Sequence, residues 1–517
     1  MKKFFLSFLI LQFPLQLVFG QAKDFVIGSY GAPPADKAAY QEANDVGFNT
    51  VIINNPGNLN PWINCDYGEA DKYRKEILKL AEGHGIKVIM GDSWIKEGTH
   101  DGYQVKSYGE AKAFAGLALP PIVGKGKGDA WTLAKAGGAV LTVKRKFGNR
   151  DYIVELLPSY ASEDIVGDYG KGGRKENYKA YLEQVATKMP CNILSWYHAP
   201  KTEGSGLKGS LATDIDLINY LENLEWVAEA VEAGEKDLWV YLPATAHDEM
   251  KYAPNLTMLK AMMGLSLCYG AKGLVYHSYQ QPCAEQKLPN ANYYGPYMLM
   301  AKVKDRSYWY EMKKINEGLA YLGPHFAKST RLNTVQHISN VENYKLCLDS
   351  CVLIHIPKYD TTYTESFDSI SISEIRMEGY DTSYVDSVYR FQVRNENFDS
   401  SVQDDSLTQD SLRLKYRYKI ISKRMTTLDR SKNVVMNASG DDLKLVSSIF
   451  DYGKGSRMLA LTNYNYSQKV ELNMDFGANY EVLDLQYWDR RFDKCTEKQD
   501  FSIEPGESRI FILKPKG

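Results

Sequence analysis

Three carboxyls and seven ring-bearing side chains lie near the ends of apolar runs: Asp92, Glu155 and Glu203, with Tyr160, Trp196, Tyr197, His198, His247, His277 and Tyr279. Two carboxyls facing each other across a sugar cleave a glycosidic bond, about 5 to 5.5 Å apart for retention or roughly 6.5 to 9.5 Å for inversion. Tyr, Trp and His join an apolar face to a polar edge, which suits a saccharide. Glu155 lies inside its run, so it points either into a barrel mouth or outward at a helix. An unpaired carboxylate there is costly, which favours a functional site or a hidden salt bridge. Asp92 reads equally as a helix cap or a hydroxyl acceptor. Glu203, between Lys201-Thr202 and Gly204-Ser205-Gly206, reads as a loop residue. Three imidazoles converging on one mouth could bind a metal or hold sugar hydroxyls. Hydroxyl binding is the reading taken, and no metal or other cofactor is expected.

The elements that would position these groups follow from hydrophobic period. Between Tyr152 and Pro200 the order is an apolar strand (152–157), a Pro-Ser-Tyr-Ala-Ser turn, an amphipathic helix (177–188) and a second apolar strand (192–196). The helix places Tyr178, Tyr181, Leu182, Val185 and Met189 on one face, giving a βαβ unit with parallel, doubly covered strands. Similar strands are expected at 25–30, 49–53, 86–90, 113–119, 237–242 and 273–276. Helices are expected at 37–46 behind an Asp36 cap, and at 69–82, 129–146, 214–233, 255–268 and 308–321, the last stopping at Gly323-Pro324. Strand–helix alternation of this length predicts a (β/α)8 TIM barrel over residues 21–330. The glycine- and lysine-rich segment 124–128 lacks the spacing of a phosphate loop and reads as a plain loop.

Beyond about Thr330, short runs rich in Val, Ile, Tyr and Thr replace helical periodicity, which predicts a β-sandwich over 331–517. The acidic, serine-rich piece 395–411 reads as a solvated loop. Cys347 and Cys351 would face each other if 344–346 and 352–356 formed a hairpin, and would lie roughly 13 Å apart on a straight strand. The cysteine count is 7, an odd number, so at least one thiol is left over unless it bonds another chain.

Sixty-two basic and 64 acidic residues give a formal charge of −2, which argues for no nucleic acid and no anionic membrane as partner. Lys2 and Lys3, an apolar core from Phe4 to about Val18 and a small Gly20 read as a signal peptide over 1–20. No cysteine stands directly after that core, and no later run is long enough to span a bilayer. The expectation is an exported protein, periplasmic or extracellular.

The segments Leu156-Leu157-Pro158-Ser159-Tyr160-Ala161-Ser162, Leu194-Ser195-Trp196-Tyr197-His198-Ala199-Pro200, Tyr269-Gly270-Ala271-Lys272-Gly273-Leu274-Val275-Tyr276 and Leu322-Gly323-Pro324 resemble the beta-galactosidase-type glycoside hydrolases, in an exported branch with a C-terminal β-sandwich. The resemblance covers roughly residues 25–328. It implies an Asp-Glu-Pro at the end of the fourth strand, whose glutamate donates the proton. Here Ala115-Gly116-Leu117-Ala118-Leu119 runs into Pro120-Pro121-Ile122 with no acid. Tyr197 stands where such relatives have an aspartate, and Glu155 where they have an asparagine.

Three expectations follow. One is a hydrolase with a rearranged carboxylate pair drawn from Asp92, Glu155 and Glu203. The second is a non-catalytic barrel that binds an oligosaccharide or polysaccharide through Tyr160, Trp196, Tyr197, His198, His247, His277 and Tyr279. The third is a structural, partner-binding surface. A site built for sugars is preferred, with turnover left open.

Overall fold

The computed structural model describes residues 24–53, 70–91, 109–119, 121–122, 132–148, 150–161, 166–169, 173–198, 202–203, 210–211, 214–244, 255–277, 279, 306–332, 335–338, 341–347, 352–355, 360–363, 416–419, 423–426, 433–439, 443–486 and 491–516. Eight strands are β1 (Val26–Tyr30), β2 (Thr50–Ile53), β3 (Lys87–Gly91), β4 (Phe114–Leu119), β5 (Asp151–Leu156), β6 (Ile193–Tyr197), β7 (Asp237–Pro243) and β8 (Gly273–His277). They pair in parallel and close in the order β1-β8-β7-β6-β5-β4-β3-β2. The architecture is a TIM barrel followed by a C-terminal antiparallel β-sandwich.

Parallel strands need crossovers, and the described ones are helices α1 (Lys37–Asp45), α2 (Ala70–Gly83), α3 (Leu133–Phe147), α4 (Arg174–Lys188), α5 (Asp214–Ala233), α6 (Leu256–Cys268) and α7 (Arg306–Lys328). Polar caps set several starts. Asp36 Oδ1 accepts from the Ala39 amide at 2.9 Å and Asn255 Oδ1 from the Met258 amide at 2.8 Å. Thr132 caps α3 in the same way, so that helix begins four residues later than the pattern predicts.

Strand alternation sorts side chains into two layers. Val26, Ile52, Ile89, Ile153, Ile193, Trp239, Tyr241 and Val275 pack inside the barrel. Their sequence neighbours, such as Ile27, Val51, Val88, Tyr152, Val154, Leu194, Val240 and Leu274, face the helices.

Helix α7 continues through Gly323-Pro324 to Lys328, past the predicted stop. A proline costs a main-chain bond, but tertiary contacts hold the turn beyond it. Phe326 is buried edge-on against Phe450, and Lys272 Nζ donates to the Phe326 carbonyl at 2.6 Å and to the Ser329 carbonyl. Gly323 is the residue that permits the approach, since a Cβ there would sit 2.4 Å from Phe25.

The larger C-terminal sheet runs Thr330–Arg331, Leu445–Gly453, Ser456–Asn463, Ser508–Pro515, Tyr480–Gln486, Arg491–Lys494, with Gln336–Ile338 also on Leu445–Gly453. A second sheet runs Val341–Cys347, Asn433–Ser439, Val470–Asp475, Lys498–Ile503. Met436, Leu459, Leu461, Leu472, Met474, Phe501 and Phe511 fill the space between them. The other face of the larger sheet, with Val446, Phe450, Met458, Ala460 and Ile510, joins the barrel's core.

That contact explains α6, which is apolar on all sides and buried from Leu265 through Cys268. Gly264 is where it comes closest, because a Cβ there would meet Ser508 Oγ at 2.1 Å.

The runs on either side of Cys347 and Cys351 do not pair with each other as a hairpin. Val341–Cys347 pairs with Asn433–Ser439, whereas Val352–His355 pairs with Lys423–Thr426, so the two runs lie in different ladders. Cys351, the loop at 395–411, the segment 124–128 and the proposed signal peptide lie outside the described residues. Cys191, Cys268 and Cys495 are free thiols. Among the described residues, no helix is long and apolar enough to cross a membrane.

Candidate functional site

Glu155 shares strand parity with Ile153, so its side chain enters the barrel and not the helix layer. It pairs in register with Ser195 of β6 and stands near the carboxyl end of the sheet, where loops can reach a ligand. Burial in that interior pushes its carboxyl up to about 7.

Three tyrosines and a histidine from four other positions surround the same space. His277 lies between two rings, 4.7 Å from Tyr30 and 4.5 Å from Tyr197, and Tyr30 is 5.4 Å from Tyr241. Burial, and then the negative charge of Glu155, raises the hydroxyls of Tyr30 and Tyr241, which places all three groups in one electrostatic neighbourhood. These tyrosines stay protonated and can donate hydrogen bonds. Glu155 near neutrality can hold or release a proton.

Behind the rim, between β5, β6 and the helices, lies a second polar cluster. Asn223 of α5, 0% exposed, accepts through Oδ1 from the Ser159 amide at 3.1 Å and the Trp196 indole at 3.2 Å, and lies 3.1 Å from His198 Nδ1. Its Nδ2 donates to Tyr178 Oη at 3.0 Å, and Tyr178 donates to the Leu157 carbonyl at 2.6 Å. One amide therefore ties together the segments that trail β5 and β6. Burial lowers His198 to about 4, against the opposing pull of its Asn223 bond. Tyr160, 41% exposed, meets the His198 ring nearly perpendicular at 5.1 Å.

The expected site residues thus divide. Glu155, Tyr197 and His277 meet inside the mouth, and Tyr160 and His198 form a pair at the same end of the barrel. Trp196 and Tyr279, expected to face a ligand, are core residues. Trp196 is 0% exposed because it follows Ser195 and precedes Tyr197, both inward, so parity turns it to the helices. Tyr279 lies edge-on to Phe48, with its hydroxyl 3.4 Å from the Ala39 carbonyl. Asp92 and His247 lie outside the described residues, and Glu203 is described only as backbone, in a short ladder of Thr202–Glu203 with Ser210–Leu211.

Among the described residues no group of three His, Cys, Asp or Glu side chains could hold a metal. A cavity of about 100 Å³ lined by Asp24, Lys87, Asp151, Asp237 and Lys272 opens at the barrel's opposite end, under the amino ends of the strands. In barrels of this kind that end serves stability.

Tyr30, Tyr241 and Asn223 were not singled out by the sequence. The signal for the tyrosines is parity with Ile153-type inward positions on their own strands. For Asn223 it is the spacing to Tyr220, Val227 and Ala230, which puts a polar side chain on the buried stripe of α5.

No family model matches the chain, and no curated protein matches it. Among solved structures it is similar to a GH27 β-L-arabinopyranosidase from Geobacillus stearothermophilus, with 10% identity, 96% of this chain and 98% of that one covered, and a TM-score of 0.41. It is similar to a family 39 glycoside hydrolase from the gut symbiont Bacteroides cellulosilyticus, with 10% identity, coverage of 95% and 81%, and a TM-score of 0.43. A beta-galactosidase from the psychrophilic Marinomonas ef1 gives 11% identity, coverage of 57% and 60%, and a TM-score of 0.37. At these scores the likeness carries no argument about chemistry, which rests on the residues above.

Proposed function

We propose that this chain binds a glycan at the carboxyl end of its barrel and that Glu155 is the proton-carrying group of that site. The observation that carries the reading is a carboxyl pushed up to about 7 inside a mouth walled by Tyr30, Tyr197, Tyr241 and His277. Rings with polar edges suit pyranose faces and hydroxyls, and a carboxyl that keeps its proton near neutral pH suits protonation of a leaving oxygen. In a hydrolytic reaction Glu155 is the acid, and Asp92 and Glu203 are the candidates for the second carboxyl.

One observation favours binding without turnover. Among the described residues Glu155 is the sole carboxyl on the inner face at the carboxyl ends of the barrel strands. The reading also takes residues 21–330 as the glycan-binding unit, 331–517 as the sandwich, and residues 1–20 as an export signal.

A panel of oligosaccharides tests these readings together. Hydrolysis that falls at least about 100-fold in Glu155→Gln, with binding retained, supports the acid role. In that case kcat/KM falls as pH rises through about 7, the pH at which the carboxyl loses its proton. Binding by the wild type with no hydrolysis selects the non-catalytic reading, and neither binding nor hydrolysis refutes both.

A further inference from the structure

The amide that ties β5 to β6 also decides where a proton sits. The Ser159 main-chain N–H and the Trp196 indole N–H both converge on one terminal atom of Asn223, at 3.1 and 3.2 Å. Both groups can only donate, so that atom is the amide oxygen whichever way the amide is first drawn. The other end of the amide agrees: it gives a hydrogen to Tyr178 Oη, whose own hydrogen goes to the Leu157 carbonyl. His198 Nδ1 reaches the same oxygen at 3.1 Å. An amide oxygen has no hydrogen to give, so the bond exists only if Nδ1 carries one. A neutral imidazole has a single N–H, and Nε2 is then left with a lone pair.

We propose that Asn223 is a positioning residue that locks His198 as the Nδ1–H tautomer, so that Nε2 accepts a hydrogen bond from a sugar hydroxyl beside the exposed ring of Tyr160. The inference rests on the glycan reading and narrows its substrate class. A neutral acceptor rewards a hydroxyl donor and offers no positive charge to a carboxylate or sulfate. An acceptor at this position therefore selects neutral sugars over acidic ones. Burial keeps the imidazole uncharged until the pH is well below its ordinary value. Among the described residues, the groups shown against it are Asn223, Trp196, Tyr220 and Tyr160, none of which is charged at neutral pH.

Nitrogen-15 spectra of the histidine rings in the full chain decide the tautomer directly. The expected result is a protonated Nδ1 and an unprotonated Nε2 for His198, unchanged down to about pH 5, from the lowered value of about 4. A protonated Nε2, or titration near 6.5, overturns the proposal. Asn223→Asp keeps the acceptor oxygen but adds a negative charge, so His198 should titrate at higher pH than in the wild type. An unmoved titration would deny that Asn223 acts through His198.

Adding the panel member that binds best should shift the His198 Nε2 signal, and His198→Phe should weaken that binding about tenfold. Binding with no shift at Nε2 overturns the acceptor role and leaves the mouth reading intact. No binding by any member overturns the glycan reading, and the tautomer result still stands on its own.

Discussion

Tyr197 and His198 are consecutive residues that enter two different chemical environments. Tyr197 turns into the barrel beside His277 and Glu155, where one ionisable carboxyl is held near neutrality among rings. His198 turns toward the helices, where Asn223 satisfies its Nδ1 and burial keeps it neutral. The inner cluster keeps a group that can change charge at working pH, at a cost to stability. The outer cluster spends all its polar atoms but His198 Nε2 on one another and gains rigidity. A strand period of two is enough to separate the reactive part of the mouth from its scaffold.

Removing the hub of the outer cluster is the largest blow. Asn223→Leu keeps the volume but strips the partner from the Ser159 amide, the Trp196 indole, His198 Nδ1 and Tyr178. Several buried groups are then unpaired, and the expected loss is about 4 kcal/mol in urea unfolding. A loss under about 1 kcal/mol would mean the cluster is not the scaffold of the mouth.

The two clusters are also expected to load stability onto pH with opposite signs. Glu155 keeps its proton up to about 7, whereas its ordinary value is 4.5, so the native state holds a proton that the unfolded chain has released. Stability falls across that window as pH rises, and Glu155→Gln removes the fall, for a gain of about 3 kcal/mol at pH 8 and almost none at pH 4. His198 does the reverse. The unfolded chain takes its proton near 6.5 and the native state resists to about 4, so stability is full above 6.5 and lost as pH drops through that window. His325 and His337, also lowered by burial, add to this acid-side loss. Unfolding free energies of Glu155→Gln at pH 5 and pH 8 measure the difference. A variant that gains equally at both would show that the raised carboxyl is not the cause.

Much of this arrangement is legible in the sequence. Helix α5 falls at 214–233 as its periodicity predicts, and the strand starts deviate by about a residue, because buried parallel strands and amphipathic helices leave strong periods. What is not legible depends on contacts remote in the chain. The Gly323-Pro324 pair reads as a stop, yet Phe450 and Lys272 carry α7 past it. A short apolar run such as β6 shows that its residues are buried without showing which side each faces, so Trp196 read as a ligand contact. The convergence of Ser159, Trp196 and His198 on Asn223 joins residues as far apart as 64 positions, and no local pattern encodes it.

The smallest expected effect separates packing from hydrogen bonding in the outer cluster. Trp196→Phe keeps an aromatic ring against Tyr220 but removes the indole donor to Asn223. Asn223 Oδ1 still holds the Ser159 amide and His198, so it stays satisfied and the penalty for an orphaned acceptor does not arise. The expected cost is then one net hydrogen bond plus the volume lost between indole and phenyl, about 1 to 2 kcal/mol. The His198 tautomer should be unchanged, because the oxygen still has the Ser159 donor to fix its orientation. A cost near that of Asn223→Leu would place the organising role in the indole and not in the amide. The two clusters would then be divided by ring packing alone.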